Sequence, residues 1–387
     1  MVIDLTRLLK YDSALLEDLE ATSLRGVRSL LEALTRPPYR FYVRVNTLKA
    51  DPGTVLDRLR DKGLDFHADE EVNVALYSPI RGPFEIVPDG KPVIADKRSA
   101  ESVFLGSDLY APGVIKAEGV RRGDRVTVFS PDGVPVGTGT ALMSWSDLLS
   151  ARRGLAVKVD RSVYQAPKIG DLPEALQGVI YSQSLPSMWA VLVADPRPGE
   201  FIVDMNAAPG GKVSFVAQLT GPSASIVAFD RKSKVGRLRQ NLDTLGITWV
   251  TVIGADSRQA SSILGVQGRA DLVLVDPPCT NLGVIPKLSD EKTLLDAVTL
   301  SRYQLQFVRE AWRLLRPGGR LVYSTCTLTD IENEWVVEQA VEVGFDVEPP
   351  PKIPRQARFD GLGLRFSPED GLPGFFISLL RKPGGVG

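Results

Sequence analysis

The sequence predicts an α/β protein built from more than one domain, and three observations carry that reading. The chain has 387 residues, more than a single hydrophobic core usually serves. From about residue 199 onward, short apolar strands alternate with helical stretches: GEFIVDM, SIVAFD, WVTVIGAD, ADLVLVDPP and GRLVYSTC. Between residues 91 and 168 the pattern is instead one of short strands punctuated by Gly and Pro.

Residues 1–90 read as an N-terminal α/β region. Amphipathic helical spacing runs over 12–35 and stops before Pro37-Pro38, since a residue preceding proline is pushed out of the helical region. FYVRVNTL then alternates as a strand does, and DPGTVLDRLRDKG reads as a helix with Asp51 as N-cap and Gly63 as stop. A strand–helix–strand unit is expected across 40–90. In 91–168, KPVIAD, DRVTVFSP, PVGTGTAL and GLAVKVDR predict a small β-barrel. The segment GSDLYAPGVIKAEGVRRGDRV within it resembles the start of a PUA domain, an RNA-binding barrel. Gly106, Leu109-Tyr110 and Pro112-Gly113-Val114 precede a basic turn and a strand. Residues 169–387 form the third unit. Continuous apolar runs such as LVLV mark strands buried on both faces, the pattern of a parallel, doubly wound, Rossmann-like sheet. GFFISLLRK reads as a last strand.

Net charge is -1 but unevenly spread. Residues 91–168 hold twelve Lys/Arg against eight Asp/Glu, a net of +4, leaving -5 for the remainder. A basic module beside an acidic body suits phosphate docking, and Arg121, Arg122 and Arg125 are expected to face nucleic acid. The N-terminus mixes acids with apolar residues, and no apolar run approaches membrane-spanning length. A cytoplasmic chain with no membrane partner is therefore expected. Two cysteines 47 residues apart and a lone His67 offer no metal cluster, disulfide framework or Cys–His pair. Acid–base chemistry falls to carboxylates, lysines, water or thiols.

At the end of the first strand of the third unit stands DMNAAPGGK, Asp204 to Lys212. A strand entering a Gly-rich turn before a helix leaves backbone N–H groups near a ligand at the carboxyl edge of the sheet. Gly210 and Gly211 permit close backbone approach. The turn is neither GxGxxG nor GxxxxGK(S/T), which weakens dinucleotide and nucleoside-triphosphate readings. Asp230 ends the second strand, where a short carboxylate receives two ribose hydroxyls. Asp256 ends the third, placed to accept from an adenine amine, and Asp276 ends the fourth. Three carboxylates at successive strand ends predict an anionic rim, hospitable to a sulfonium and hostile to pyrophosphate.

Both cysteines also fall at strand ends, Cys279 in VDPPCTN and Cys326 in YSTCTLT. Together AAPGGK, DPPCTNLG and STCTLT followed by ENE resemble the Nop/Sun family of RNA cytosine-5 methyltransferases. RVNTLK at 44–49, the PUA-like segment and QSLPSMWAVLVADPRPGE at 183–200 resemble its PUA-containing, tRNA-modifying branch. The likeness covers nearly the whole chain and its motifs are jointly specific. It implies a Rossmann-like S-adenosylmethionine-dependent methyltransferase domain with an inserted PUA barrel and an N-terminal α/β region. It further implies that Cys326 is the nucleophile and that Cys279 helps release the product. The cofactor is expected against Asn206, Ala207, Ala208, Pro209, Gly210, Gly211, Lys212, Asp230, Lys234, Asp256 and Asp276. The implied substrate is tRNA, held at its acceptor stem and 3′ end, with cytosine 72 as target, and a monomer is expected. Two positions depart from the family pattern: Asn206, where many members have cysteine, and Asn281, where a small residue is common.

The chemistry such an enzyme needs has its residues here. C5 of cytosine is a poor nucleophile until a thiolate adds at C6 and makes it enamine-like, and a base must then remove the C5 proton. Asp276, three residues before Cys279, is placed to serve N3 of the base, either protonated or through water. Lys212 is placed to favour the Cys326 thiolate by its charge. Two alternatives stay open: an rRNA cytosine-5 methyltransferase with the same catalytic domain, and a non-catalytic RNA-binding protein. The intact cysteines and carboxylates argue against the second.

Overall fold

Asp12 opens the first helix, Ser13–Thr22, by accepting the Leu15 N–H at 2.9 Å, one of the donors a helix start leaves without a partner. The computed structural model describes residues 4–384. A second helix, Val27–Leu34, buries Leu30 and Leu34 and ends ahead of the two prolines. Strand Arg40–Val45 follows, then helix Pro52–Asp61, whose start is capped by Asp51 accepting from Thr54 N–H at 3.1 Å. Ala75–Pro79 returns antiparallel to Arg40–Val45, completing the expected strand–helix–strand unit.

The division drawn at residue 168 cuts across this sheet. Ile180–Ser182 pairs antiparallel with Arg40–Val45, so residues placed with the third unit from sequence extend the N-terminal sheet instead. A three-residue edge strand carries too little periodicity to announce its partner. Asn46 seals the junction by donating to the carbonyls of Gly178 at 2.9 Å and Leu245 at 2.8 Å. Leu9–Tyr11 likewise crosses over, pairing in parallel with Asp290–Lys292 of the catalytic region.

In the barrel, Lys91–Ala95, Arg125–Phe129, Pro135–Ala141 and Leu155–Ser162 fall on the four predicted strands. Leu109–Tyr110 and Val114–Lys116 pair at the two ends of this six-stranded sheet. Sequence reasoning missed the helix Lys97–Phe104, started by Asp96 and burying Ala100, Val103 and Phe104. It also misjudged Arg125. That guanidinium pairs with Asp160, with Asp89 at 3.1 Å and with the Thr138 hydroxyl at 3.2 Å, so its charge is used within the barrel. Arg121 and Arg122 remain exposed.

The catalytic region is a sheet in the order Val250–Gly254, Ser225–Asp230, Phe201–Asp204, Ala270–Val275, Leu315–Thr325 and Phe375–Arg381. The first five strands are parallel. The last is antiparallel and lies between Leu315–Thr325 on one side and Asp346–Glu348 with Leu364–Phe366 on the other. Leu272, Val273, Leu274 and Val275 are all buried, as LVLV predicts for a strand covered on both faces. Separate cores form on the two faces, one around helices Leu185–Ala194 and Gly211–Thr220, the other around Leu294–Leu314 and Glu334–Val343. Strand order reverses between Phe201–Asp204 and Ala270–Val275. A crevice opens outside the carboxyl ends at such a switch point.

Candidate active site

A cleft of about 640 Å³ fills that crevice, and Asn206, Ala208, Asp230, Lys234, Asp256, Asp276, Cys279, Asn281 and Cys326 line it. The Gly-rich turn divides its duties. Asn206 and Ala208 line the cleft, and Lys212 reaches Asp276 at its edge. Ala207 N–H bonds the Phe229 carbonyl at 2.9 Å, and the Pro209 carbonyl accepts from Asn241 at 2.7 Å. Gly210 has φ +119, and a Cβ there would stand 3.1 Å from Leu238, so glycine is required at the start of helix Gly211–Thr220. Behind the turn, the buried guanidinium of Arg44 donates to the Gly211 carbonyl at 2.7 Å and the Ser214 hydroxyl at 2.7 Å. Among the described residues it has no carboxylate partner, and burial pushes its pKa down to about 9. RVNTLK marked this segment, but nothing in the sequence told that its arginine braces the turn.

The carboxylates are not a bare anionic rim. Asp276 pairs with Lys212 at 2.5 Å and accepts from Ser324 at 3.3 Å. Asp256 is gripped by the Arg258 guanidinium, which holds its carboxyl below the usual range. Asp230 accepts the N–H groups of Ala208 and Arg231, each at 2.8 Å, with Lys234 3.9 Å away. Asp204, one strand residue inside the turn, is buried. One of its oxygens takes the Asn206 N–H at 3.1 Å and the other has no partner, and burial pushes it up to about 7. Asn206 Oδ1 is also buried without a partner. The charge of Lys212 is directed to Asp276, and its ring contact is Phe375, so the expected support for the Cys326 thiolate is not among its interactions.

The two thiols meet. Cys279 Sγ and Cys326 Sγ are 3.3 Å apart, and Asn281 Oδ1 lies 3.0 Å from Cys326 Sγ and 3.6 Å from Cys279 Sγ. The hydrogen bond with Cys326, then burial, pushes the Cys279 thiol well above its usual value. Of the pair, Cys279 is therefore the one held to its proton, and Cys326 is the more accessible thiol.

Glu332 holds both cysteine loops, a role that the ENE motif did not reveal. Its buried carboxylate accepts from Thr280 N–H at 2.9 Å, Thr329 Oγ1 at 3.0 Å, Thr327 Oγ1 at 3.3 Å, Gln304 Nε2 at 2.9 Å and the Thr280 hydroxyl. Burial raises it above the usual carboxylate range, against the pull of these donors.

Known proteins share this arrangement of domains. The family described as 16S rRNA methyltransferase RsmB/F matches residues 191–381, and the PUA domain matches 91–163. The tRNA (cytosine(72)-C(5))-methyltransferase of Pyrococcus horikoshii is 38% identical over 366 residues, covering 91% of this chain and 92% of that protein. The tRNA (cytosine(72)-C(5))-methyltransferase NSUN6 of Homo sapiens is 29% identical over 357 residues, covering 82% of this chain and 75% of its own. A crystal structure of NSun6 from Pyrococcus horikoshii with SFG has a TM-score of 0.88 at 36% identity, covering 97% of this chain and 99% of that one. The chain belongs to the PUA-containing branch of the Nop/Sun family of S-adenosylmethionine-dependent RNA cytosine-5 methyltransferases.

Proposed function

We propose that this chain methylates C5 of cytosine 72 in tRNA, holding the acceptor stem and 3′ end with help from the barrel. The observation that carries the reading is the thiol pair, 3.3 Å apart, opening on a cleft that Asp230, Asp256 and Asp276 also line. Relatives named for tRNA span barrel and catalytic domain at 38% and 29% identity, against 25% for one of similar span named for rRNA, and this difference supports tRNA.

The cleft residues suit the cofactor. Asn206 Oδ1, buried and without a partner, is an acceptor for an ammonium group. Asp230 keeps lone pairs for two ribose hydroxyls beside its backbone donors, with Lys234 flanking it, and Asp256 can accept from an adenine amine. S-adenosylmethionine supplies an electrophilic methyl group on a sulfonium centre.

The protein's own groups do the rest. Asp276, steadied by Lys212 as a carboxylate, meets the N3 edge of the base through a bridging water, because both are acceptors. Cys326, as thiolate, bonds to C6 and drives onto C5 the electron pair that would form the bond to the cofactor's methyl group. While Cys326 carries charge, Cys279 holds its proton. Once the Cys326 sulfur is bonded to carbon, that neighbour's hold on the proton is gone, and Cys279 releases it to water. The Cys279 thiolate then takes the C5 proton. The freed pair restores the C5–C6 double bond and expels Cys326 as thiolate.

Purified enzyme, labelled cofactor and tRNA with or without a C72U change test the reading, with bisulfite sequencing to locate the product. Methylation should stop with the C72U transcript and with Cys326→Ala. Cys279→Ala should accumulate a denaturation-resistant enzyme–tRNA adduct that requires Cys326. Equal methylation of the C72U transcript, or turnover by Cys326→Ala, overturns the assignment.

A further inference from the structure

Asn281 is one of two described non-glycine residues with positive φ, at +59. Asparagine enters this left-handed region more readily than other side-chain-bearing residues. Its backbone is pinned there: the Asn281 carbonyl accepts from Lys287 Nζ at 3.0 Å and from Val284 N–H at 3.1 Å. Lys287 is itself buried and paired with Asp290 at 3.2 Å. The result is a carboxamide fixed at the mouth of the thiol pair, with Oδ1 3.0 Å from Cys326 Sγ. Among the described residues, Asn281 Nδ2 has no hydrogen-bond partner.

A neutral thiol donates to Oδ1, but a thiolate has no proton to give and needs donors. The nearby cation, Lys212, is paired with Asp276. Among the described residues, two groups in contact with Cys326 can supply a donor: the Cys279 S–H at 3.3 Å and the Asn281 carboxamide, whose Oδ1 now makes the contact. Turning the carboxamide half a turn about its Cβ–Cγ bond replaces Oδ1 with Nδ2–H. The same contact then serves both protonation states.

We propose that Asn281 is a catalytic residue that stabilises the Cys326 thiolate through its side-chain amide. The Cys326 proton passes to water at the open face of the cleft, and Nδ2–H takes its place as the hydrogen bond to sulfur. This rests on the reading of Cys326 as nucleophile.

Site-resolved alkylation by iodoacetamide, followed by mass spectrometry across pH, tests it on the full chain. The variants are Asn281→Gly, which tolerates the positive φ, and Asn281→Asp, which puts a carboxylate beside the sulfur. The pH–rate profile for Cys326 should move upward by about one unit in Asn281→Gly, the usual size for loss of a hydrogen bond to an anion, and further in Asn281→Asp. Methylation by Asn281→Gly should show the same displacement in kcat, with KM for tRNA unchanged and activity recovering at higher pH. A residue that only fills space would change the rate without moving the profile. Superimposable alkylation profiles overturn the proposal, as does a methylation profile that does not follow the shift. Retained methylation by Cys326→Ala would instead overturn the assignment of the nucleophile.

Discussion

Removing the carboxylate of Glu332 should disable the enzyme by letting its two cysteine loops drift apart. Glu332 is fully buried and receives donors from Thr280 on the Cys279 loop and from Thr327 and Thr329 beyond Cys326. In Glu332→Ala, the three hydroxyls can find new acceptors by rotation. The Thr280 N–H cannot, and an orphaned buried donor costs about 1–3 kcal/mol. Gln304 retains its bond to the Pro278 carbonyl at 3.0 Å, which limits its loss. Relief from burying a carboxylate offsets part of the cost, so a net destabilisation of about 1–2 kcal/mol is expected. Glu332→Gln keeps one acceptor oxygen and offers an amide to hydroxyls that can turn to accept, at about 1 kcal/mol. Because burial raises the Glu332 carboxyl above its unfolded value, its contribution is greatest at low pH and declines as pH rises through the folded value. The stability gap between wild type and Glu332→Gln should therefore narrow with rising pH. Urea denaturation across pH measures these quantities. A displacement of about 1 Å in either loop should lower kcat about a hundredfold with KM for tRNA little changed. An alanine variant of wild-type stability and turnover would refute the clamp.

Two further outcomes follow from charges in the cleft and barrel. Asp204 is neutral below about 7 and ionised above it, and its negative form favours a cationic ligand. S-adenosylmethionine affinity, read by calorimetry, should therefore rise between about pH 6 and pH 8, and Asp204→Asn should flatten that rise. Replacing Arg121 and Arg122 by Ala should weaken tRNA binding and lower its log–log salt slope by about two, whereas Arg125→Ala should leave the slope unchanged. Equal slopes for the double variant and wild type would remove this turn from the RNA interface.

The sheet and the two thiols were legible because their signals are local. ADLVLV announces a strand covered on both faces within six residues, and the strand-end positions of Cys279 and Cys326 follow from such runs. What stayed hidden depends on residues far apart in sequence. Glu332 matters because it reaches Thr280, 52 residues earlier, and Arg44 because it reaches Gly211, 167 residues later. Neither spacing leaves a periodic trace. Ile180–Ser182 joins the N-terminal sheet for the same reason, through an antiparallel partner at Arg40–Val45. Helix Lys97–Phe104 was lost differently, since at eight residues between two strands its apolar face is too short to stand out.

The electrostatic argument from the strand ends needs a change of place rather than of sign. Counting Asp230, Asp256 and Asp276 as free charges overlooked their cations, one close in sequence at Arg258 and one distant at Lys212. With Asp256 and Asp276 paired, the rim no longer selects a cation by charge alone. On the proposed function, selectivity would fall instead to the turn, where Asp204 has an unpartnered oxygen and Asn206 a second buried acceptor. Neither gains from a pyrophosphate, which brings acceptors and negative charge, and both gain from a ligand carrying an ammonium beside a sulfonium. On the proposed function, the cofactor's charge would be read at the first strand, its ribose at the second and its adenine at the third. The fourth and fifth strand ends are left to the base and the thiols.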